Sequence, residues 1–366
     1  MSLSIDREFG SIITRLIQKE NLSKNEARAA FISVLNDDVT EMQQGAFLAA
    51  LTAKGETADE VAGSWAAIYE LDTAKVSLPV EITPVENSGT GMDTFKTFNI
   101  STAASLIAAA AGVPMARHGA RAITSFCGTV DMAEALGVDV ECSADVVAKS
   151  IETAGIGLFN GMSPLVHPKA LGRILSKIHF GSTLNIAASL ANPALPSIGV
   201  RGVYSKSMVR PVAEVMKAIG YKRAVILHGT IDGSNKGMDE ASVCGPTHGA
   251  QINDDGIAEF TFDPKQIGLK RDNPEELTPK EDIGIESKRF VALMNNQEEG
   301  ARKNAAVLNA GMVLLAADKV NTIEDGIQQA TTVLESGAAM ETTERWVRTQ
   351  TTNPEEGLTK LYRLVA

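Results

Sequence analysis

Residues 88–102 read Ser-Gly-Thr-Gly-Met-Asp-Thr-Phe-Lys-Thr-Phe-Asn-Ile-Ser-Thr. Gly89 and Gly91 flank Thr90. Glycines this close together let successive amides turn into one concavity, which is a seat for an anion. Ser101 or Thr102 is placed to cap the Ala-rich stretch that follows. The positive end of that helix then faces the same space, and a pyrophosphate group suits two such donors. A tight turn before a buried helix would use the same glycines. The polar cluster Asp93, Asn99, Ser101 and Thr102 adds chemistry that a plain turn does not need. Such a cluster can hold Mg²⁺ and sugar hydroxyls. Further along, Asp239 and Glu240 are adjacent acids. On a solvated loop they would be ordinary, but they follow the apolar run that ends at Leu227-His228-Gly229. That placement puts them at the carboxyl edge of a sheet, where α/β proteins bind ligands.

The elements that position these residues fall into two groups. Up to about residue 75 the chain reads as short helices with clear starts. Ser23 to Glu26, Thr40 to Gln43 and Thr57 to Glu60 each match the capping box. Apolar residues follow at helical spacing, as at Ala30, Phe31, Val34 and Leu35. After Pro79, candidate strands at Val113–His118, Gly157–Asn160, Ala224–His228 and Glu259–Phe262 alternate with helices at Ala103–Ala111, Asp145–Ala154 and Val212–Ile219. Alternation of this kind predicts an α/β fold with a largely parallel central sheet. The reading is a small helical domain over residues 1–75, with the segment at about 165–192 returning to it, and an α/β domain over 76–366. Residues 321–337 read as a helix with Thr322 near its start and Gly337 past its end. The charged stretch 265–300 reads as a surface excursion.

Several separated motifs resemble the anthranilate phosphoribosyltransferase family. The loop at 89–102 is similar to that family's GTGGD followed by TFNIST. Gln44 to Leu51 and Lys54-Gly55-Glu56-Thr57 are similar to its helical domain. Arg117-His118-Gly119-Ala120-Arg121 resembles its KHGNR, and Gly128-Thr129-Val130-Asp131 with Glu134 to Gly137 its GSADxLEALG. His167-Pro168, Asn192-Pro193, Asp239-Glu240 and Leu308-Asn309-Ala310 follow in the family's order. The resemblance implies transfer of 5-phosphoribosyl from PRPP (phosphoribosyl pyrophosphate) to a small aromatic or heterocyclic acceptor. It also implies two Mg²⁺ per site and a homodimer formed through the helical domain. By the same resemblance, Gly89, Thr90 and Gly91 contact pyrophosphate. Asp93, Asn99 and Thr102 hold the sugar and phosphates, Ser101 one metal, and Asp239 with Glu240 the second. Thr97, Arg117, Gly119 and Thr129 belong to the substrate set, and His118 lines the acceptor site as a wall. Arg121 is a phosphate or carboxylate clamp, or else an ordinary surface arginine. His167 fixes a turn, and Cys127 stands where the family carries a small serine.

The departures from the pattern concentrate on the acceptor side. Met92 replaces the second glycine of GG, and Ala120 replaces the Asn of KHGN. The family's carboxylate-pairing arginine falls near Leu175, with Arg173 on a different helical face. The stretch 230–238 is longer than the family's loop. Lys96, Lys206 and Lys236 are candidate substitute cations. This reading keeps the PRPP half and alters the acceptor half. Two other readings are a pyrimidine-type nucleoside phosphorylase and a non-catalytic relative that binds a ligand or nucleic acid.

Composition narrows the partners. The net charge of −11 disfavours nucleic acid and anionic membranes. An anion seat must therefore be made locally, by amides, a few cations or a metal. Aromatics at 5% and abundant alanine point to a core of close-packed helices. The scattered Cys127, Cys142 and Cys244 show no metal or disulfide spacing, and a reduced cytoplasmic protein is expected. The longest apolar run, Ala103 to Gly112, is too short to span a bilayer, and no secretion signal is read at the N-terminus.

Overall fold

The structure is a computed structural model that describes residues 2–122 and 126–365. Four helices open the chain: α1 (Ser2–Ile17), α2 (Lys24–Leu35), α3 (Glu41–Lys54) and α4 (Ala58–Leu71). All three capping boxes form, with Ser23, Thr40 and Thr57 each accepting from the amide three residues on. Glu60 does more than cap. Its carboxylate takes the Leu22 amide at 2.9 Å and the Lys54 Nζ at 2.9 Å, which ties α4 to α3 and to the loop between α1 and α2. At the centre of this lobe Phe47 packs edge to face with Phe31 and in a tilted contact with Phe9.

The rest of the chain alternates. In order come β1 (Val85–Gly89), α5 (Ile100–Ala110), β2 (Met115–Gly119), α6 (Thr129–Leu136), α7 (Ala144–Ala154) and β3 (Ile156–Asn160). Then follow α8 (Leu171–Ile178), α9 (Thr183–Ser189), β4 (Ile198–Gly202), α10 (Val209–Ile219) and β5 (Arg223–Thr230). Three more strands, β6 (Gly237–Met238), β7 (Thr247–Asn253) and β8 (Gly256–Phe262), complete the sheet. The chain ends in α11 (Ile283–Met294), α12 (Ala301–Ala316), α13 (Ile323–Glu335), α14 (Ala338–Thr349) and α15 (Pro354–Val365). The sheet order is β3-β2-β1-β4-β5-β7-β8, with β6 paired to β5. The first five positions are parallel, and β6, β7 and β8 are antiparallel additions. Strands β3 and β4 are buried along their whole length, as a sheet covered on both faces requires.

Each face of the sheet meets a different core. Val85, Val200 and Val225 face the Ala-rich α5 and α12. Ala224 and Ile226 face α10, the helical lobe and the segment α8–α9, whose Leu171, Ile174, Leu184 and Leu190 join that lobe's core. Asp72 fixes the junction: its carboxylate accepts the Ala170 and Leu171 amides at 2.8 and 2.7 Å. Trp65 Nε1 adds a bond to the Leu190 carbonyl.

Two expectations are corrected. Residues 265–300 are no surface excursion. Leu277, Phe290, Val291, Leu293 and Met294 enter the main core, while the charges that suggested exposure sit on the outer face or pair internally. One such pair is Glu286 with Arg302, both almost fully buried. The start of α5 also differs. Asn99 is its cap residue and makes no side-chain cap bond, so neither Ser101 nor Thr102 caps the helix. Both hydroxyls are drawn instead to Arg117. Thr322 does cap α13, and Gly337 follows it in the left-handed region.

Candidate active site

The glycine loop leaves the carboxyl end of β1 and is sewn to two neighbouring segments. The Thr90 amide donates to the Gly202 carbonyl at 3.0 Å, and Thr90 Oγ1 accepts the Tyr204 amide at 3.1 Å. Thr94 Oγ1 accepts the Gly237 amide, and the Phe95 amide donates back to the Gly237 carbonyl. Gly91 and Met92 are both in the left-handed region, at φ 65° and 64°. That turn aims the Gly91 amide at Asp239 Oδ2, 2.7 Å away. The glycines at the crossing have a steric reason. A Cβ on Gly89 would stand 2.1 Å from Asp239 Oδ2, and one on Gly202 would stand 1.5 Å from the Asp239 carbonyl oxygen.

Asp93, Asp239 and Glu240 are thereby brought together, each offering a carboxylate oxygen within 4.8 Å of the others. Burial, then the Asp239 charge, pushes Asp93 up to about 6. Burial, then Asp239 and Asp93, pushes Glu240 well above the carboxylate range. Lys96 Nζ bonds Asp93 Oδ1 at 2.7 Å and offsets part of this charge. Glu240 as a residue is half-buried, but its Oε2 is sealed from solvent and has no hydrogen-bond partner. Three converging carboxylates with an orphaned oxygen fit a hard divalent cation. The sequence reading gave Asp93 to the sugar; the structure sets it beside Asp239 and Glu240.

The first turn of α5 is organised from below by Arg117. Its Nη1 donates to Thr102 Oγ1 at 2.6 Å, Nη2 to Ser101 Oγ at 3.1 Å and Nε to the Asn87 carbonyl at 3.2 Å. Burial lowers this guanidinium to about 10. Asn99 Nδ2 donates to the Cys127 carbonyl. The Cys127 thiol is itself raised to about 12 by burial and stays protonated. Thr97 is half-buried in the loop. Thr129 begins α6 and packs its methyl against Gly119, where a Cβ would meet it at 3.1 Å.

His118 forms a wall on the other face of β2. Its Nδ1 lies 3.5 Å from the Ser189 carbonyl, and its Nε2 lies 3.3 Å from His167 Nε2. Burial, then His167, lowers His118 to about 3, so near neutral pH it carries no charge. His167 in turn holds the Asp72 carbonyl through Nδ1.

Arg121 and Arg173 are committed elsewhere. Arg121 is ion-paired with Asp131, Glu134 and Glu141. Arg173 binds Asp37, Gln44 and the Val34 carbonyl inside the helical lobe. Leu175 is packed at that lobe's core, and Ala120 offers only its carbonyl, to the Val130 amide. The extra stretch 230–238 folds back as β6 on the end of β5. Lys206 lies near His248, and Lys236 is exposed. Sequence reasoning missed Arg201, a buried cation beside Ser88 and Ser189. Its signal was present: one charge inside the apolar run Ile198-Gly199-Val200-Arg201-Gly202-Val203.

Comparison with known proteins agrees with this architecture. Residues 82–340 match the family described as "Glycosyl transferase family, a/b domain", and residues 10–71 match "Glycosyl transferase family, helical bundle domain". The anthranilate phosphoribosyltransferase of Methanothermobacter marburgensis is 34% identical over 339 residues, covering 91% of this chain and 96% of that protein. That of Rubrobacter xylanophilus is 35% identical over 329 residues, covering 90% and 94%. Among solved structures, the anthranilate phosphoribosyltransferase of Thermus thermophilus superposes with a TM-score of 0.82 at 29% identity, covering 92% and 98%. The Saccharomyces cerevisiae enzyme in complex with PRPP and Mg shares the fold, with a TM-score of 0.80 at 20% identity over 95% and 99%.

Proposed function

The chain belongs to this glycosyl transferase family, and we propose that it transfers the 5-phosphoribosyl group of PRPP to a small aromatic amine with release of pyrophosphate. The observation that carries this reading is the acid cluster tied to the glycine loop. Glu240 Oε2 has no partner, and the loop amide of Gly91 is held against Asp239. A site that buries three acids beside an anion-seating loop is built for a metal-bound anion. Asp93, Asp239 and Glu240 would hold one Mg²⁺, and Ser101 would face a second. Bound magnesium supplies positive charge to the departing pyrophosphate.

The chain's own groups then act by placement. The Gly89-Thr90-Gly91 loop borders the diphosphate, with the Thr90 amide kept by the Gly202 carbonyl and the Gly91 amide exchanging Asp239 for the entering anion, while Asn99, Thr102 and Thr97 bound the sugar. Arg117 and Thr129 hold that wall in shape. As the C1–oxygen bond breaks, its electron pair leaves with pyrophosphate, and the amine lone pair forms the new bond to C1. The nitrogen then sheds a proton to water. Neutral His118 with Gly119 lines the acceptor side and is not needed as a base, because an arylammonium nitrogen is itself acidic. Arg121, held by three carboxylates, braces the rim rather than gripping substrate.

The acceptor half is altered relative to the family pattern, through Met92, Ala120 and Leu175. We place the helical lobe at residues 1–75 with 165–192, and the α/β lobe at 76–366. A homodimer through the helical lobe is what the family resemblance implies. A cytoplasmic location agrees with three free, buried cysteines. No helix among the described residues is long and apolar enough to cross a membrane. The test is pyrophosphate release from PRPP and Mg²⁺ with a panel of aromatic amines and bases. Release with at least one amine, abolished by chelator, is expected. Calorimetry that detects no PRPP association with Mg²⁺ present overturns the proposal.

A further inference from the structure

Phe98 lies between Thr97 and Asn99, the two residues set against the sugar in the proposed reaction. Those neighbours are half-buried, but the Phe98 side chain belongs to the main core and is 1% exposed. There it meets a cation. Arg302, in the first turn of α12 and also 1% exposed, holds its Cζ 4.0 Å from the centre of the ring. An aromatic face attracts a guanidinium at this range, most strongly where water is excluded. The rest of the guanidinium is poorly served. Nη2 binds Glu286 Oε1 at 2.5 Å, but Nε stands 3.9 Å from Glu298 Oε2, and neither Nε nor Nη1 has a hydrogen-bond partner. Buried N–H groups without acceptors are unfavourable, and the ring face is the compensation that remains.

The backbone of Phe98 is tied to the same part of the chain. Its amide donates to the Leu277 carbonyl at 2.9 Å. The start of α12 joins that segment through the Ala301 amide on Glu276 Oε2 and Asn304 Nδ2 on Asp272 Oδ2. Further along α12, Asn309 exchanges two bonds with Ala241. Its Oδ1 accepts the Ala241 amide at 2.9 Å, and its Nδ2 donates to the Ala241 carbonyl at 3.0 Å. Ala241 directly follows Asp239 and Glu240. Helix positions about two turns apart share one face. One face of α12 therefore grips the sugar side of the site through Arg302 and the acid pair through Asn309.

We infer that Arg302 is a positioning residue of the donor site and acts through Phe98. Helix α12 holds Thr97, Asn99 and Ser101 at a set distance from Asp239 and Glu240, and the Arg302–Phe98 stack fixes the loop end of that span. The inference rests on the phosphoribosyl-transfer reading and deepens it. The loop has little slack after the ring, since the Ile100 amide closes on the Phe98 carbonyl at 2.6 Å. A shift of the ring is passed on to Asn99 and the first turn of α5.

The experiment measures PRPP affinity by calorimetry with Mg²⁺, and kcat and KM for both substrates. The variants are Phe98→Leu, the pair Glu286→Met with Arg302→Met, and all three changes together. Phe98→Leu removes the ring and keeps the buried ion pair, while the paired variant removes the cation and strands no charge. Each is expected to weaken PRPP binding by about tenfold, the scale of a desolvated cation–π contact. The triple variant is expected within about twofold of the weaker of these, because both remove one contact. The KM for the acceptor should stay within about twofold of wild type. Arg302→Lys keeps a charge over the ring without the fork and should retain part of the affinity. A contact that is merely structural lowers the melting temperature and leaves PRPP affinity unchanged. That result overturns the proposal, as do losses that multiply in the triple variant. Should the paired variant not fold, Phe98→Leu and Arg302→Lys decide, and wild-type affinity in both overturns it. If wild type binds no PRPP, the transferase reading fails instead. Hydrogen exchange of the amides at 97–102 then decides: about tenfold faster in Phe98→Leu with α12 unchanged supports the stack as the pin, and unchanged exchange overturns it.

Discussion

Glu286 and Glu240 both turn carboxylate oxygen away from water, yet an arginine meets only the first. Glu286 takes Arg302 Nη2 at 2.5 Å on one oxygen and the Lys280 amide at 2.8 Å on the other. Arg302 lies over the Phe98 ring at 4.0 Å, and Glu298 stands on its far side. Glu240 has Asp239 and Asp93 as neighbours, and its Oε2 bonds nothing. The same residue type serves opposite ends. A carboxylate whose cation is in the chain is part of the core. A carboxylate packed against other carboxylates is left for a cation that arrives later.

The sharpest way to break this contrast is to neutralise each site in turn. Glu240→Gln replaces one carboxylate oxygen of the proposed metal site by a neutral amide. Its kcat/KM should fall by about 10²–10³-fold, the scale for losing one preorganised electrostatic group. The metal-free protein should become more stable near neutral pH, because burial beside Asp239 and Asp93 makes the folded chain hold a proton on Glu240 that the unfolded chain releases, and the amide escapes that cost. Melting with and without Mg²⁺ checks both, since the wild type should gain stability from the ion and the variant little. A variant that loses stability without metal would place Glu240 with Glu286.

Glu286→Ala should do the reverse. It strands Arg302 as an unpaired buried charge, at a cost of about 3–5 kcal/mol. Denaturant unfolding should show this equally with and without Mg²⁺. Removing both charges together, as Glu286→Met with Arg302→Met, should recover most of the loss. If it does not, the pair contributes more than mutual neutralisation.

These two sites were not equally readable from sequence. Ser-Gly-Thr-Gly carried its chemistry in local spacing, so the loop and Asp93 were named from residues, while the metal role of Asp239 and Glu240 came from the family resemblance. Helix starts were legible for the same reason: the capping boxes at Ser23, Thr40 and Thr57 are contacts between residues three apart. Glu286 and Arg302 lie on different helices, and only packing shows that they neutralise each other. Without that pairing, the charges of 265–300 suggested solvent. The inclusion of Asp93 in the acid cluster depends on Gly91 folding the loop onto Asp239, a contact 148 residues apart. Arg201 escaped because a charge in a strand has no partner until neighbouring strands are placed.

The His118–His167 pair gives a third kind of burial, in which the group stays neutral. Burial lowers both, His118 to about 3. Below about pH 6.5 the unfolded chain binds protons that the folded pair refuses. Stability is therefore fully present above that pH and is lost as pH falls toward 3. The expected slope is about 1.4 kcal/mol per pH unit for each histidine that stays neutral. Urea unfolding between pH 6.5 and 4.5 measures it, and His118→Asn should flatten the curve by about one proton.

Met92→Gly should have the smallest effect on stability and bears on how the acid cluster is held. Met92 sits at φ 64° with its side chain 63% exposed, so it contributes backbone strain and little burial. A left-handed non-glycine residue costs about 1–2 kcal/mol. Glycine would relieve that but would lose about 0.5–1 kcal/mol more chain entropy on folding. The terms nearly cancel, and a stability gain below about 1 kcal/mol is expected. The functional effect is more informative. Met92 stiffens the turn that aims the Gly91 amide at Asp239. A freer turn lets that amide leave the carboxylate for an entering diphosphate. PRPP affinity measured with Mg²⁺ should then improve, by about two- to fivefold if roughly half to one kcal/mol of restraint is removed. Unchanged affinity would show that the Gly91 amide belongs permanently to Asp239, as the Lys280 amide belongs to Glu286, and that the two carboxylate sites differ only in their cations.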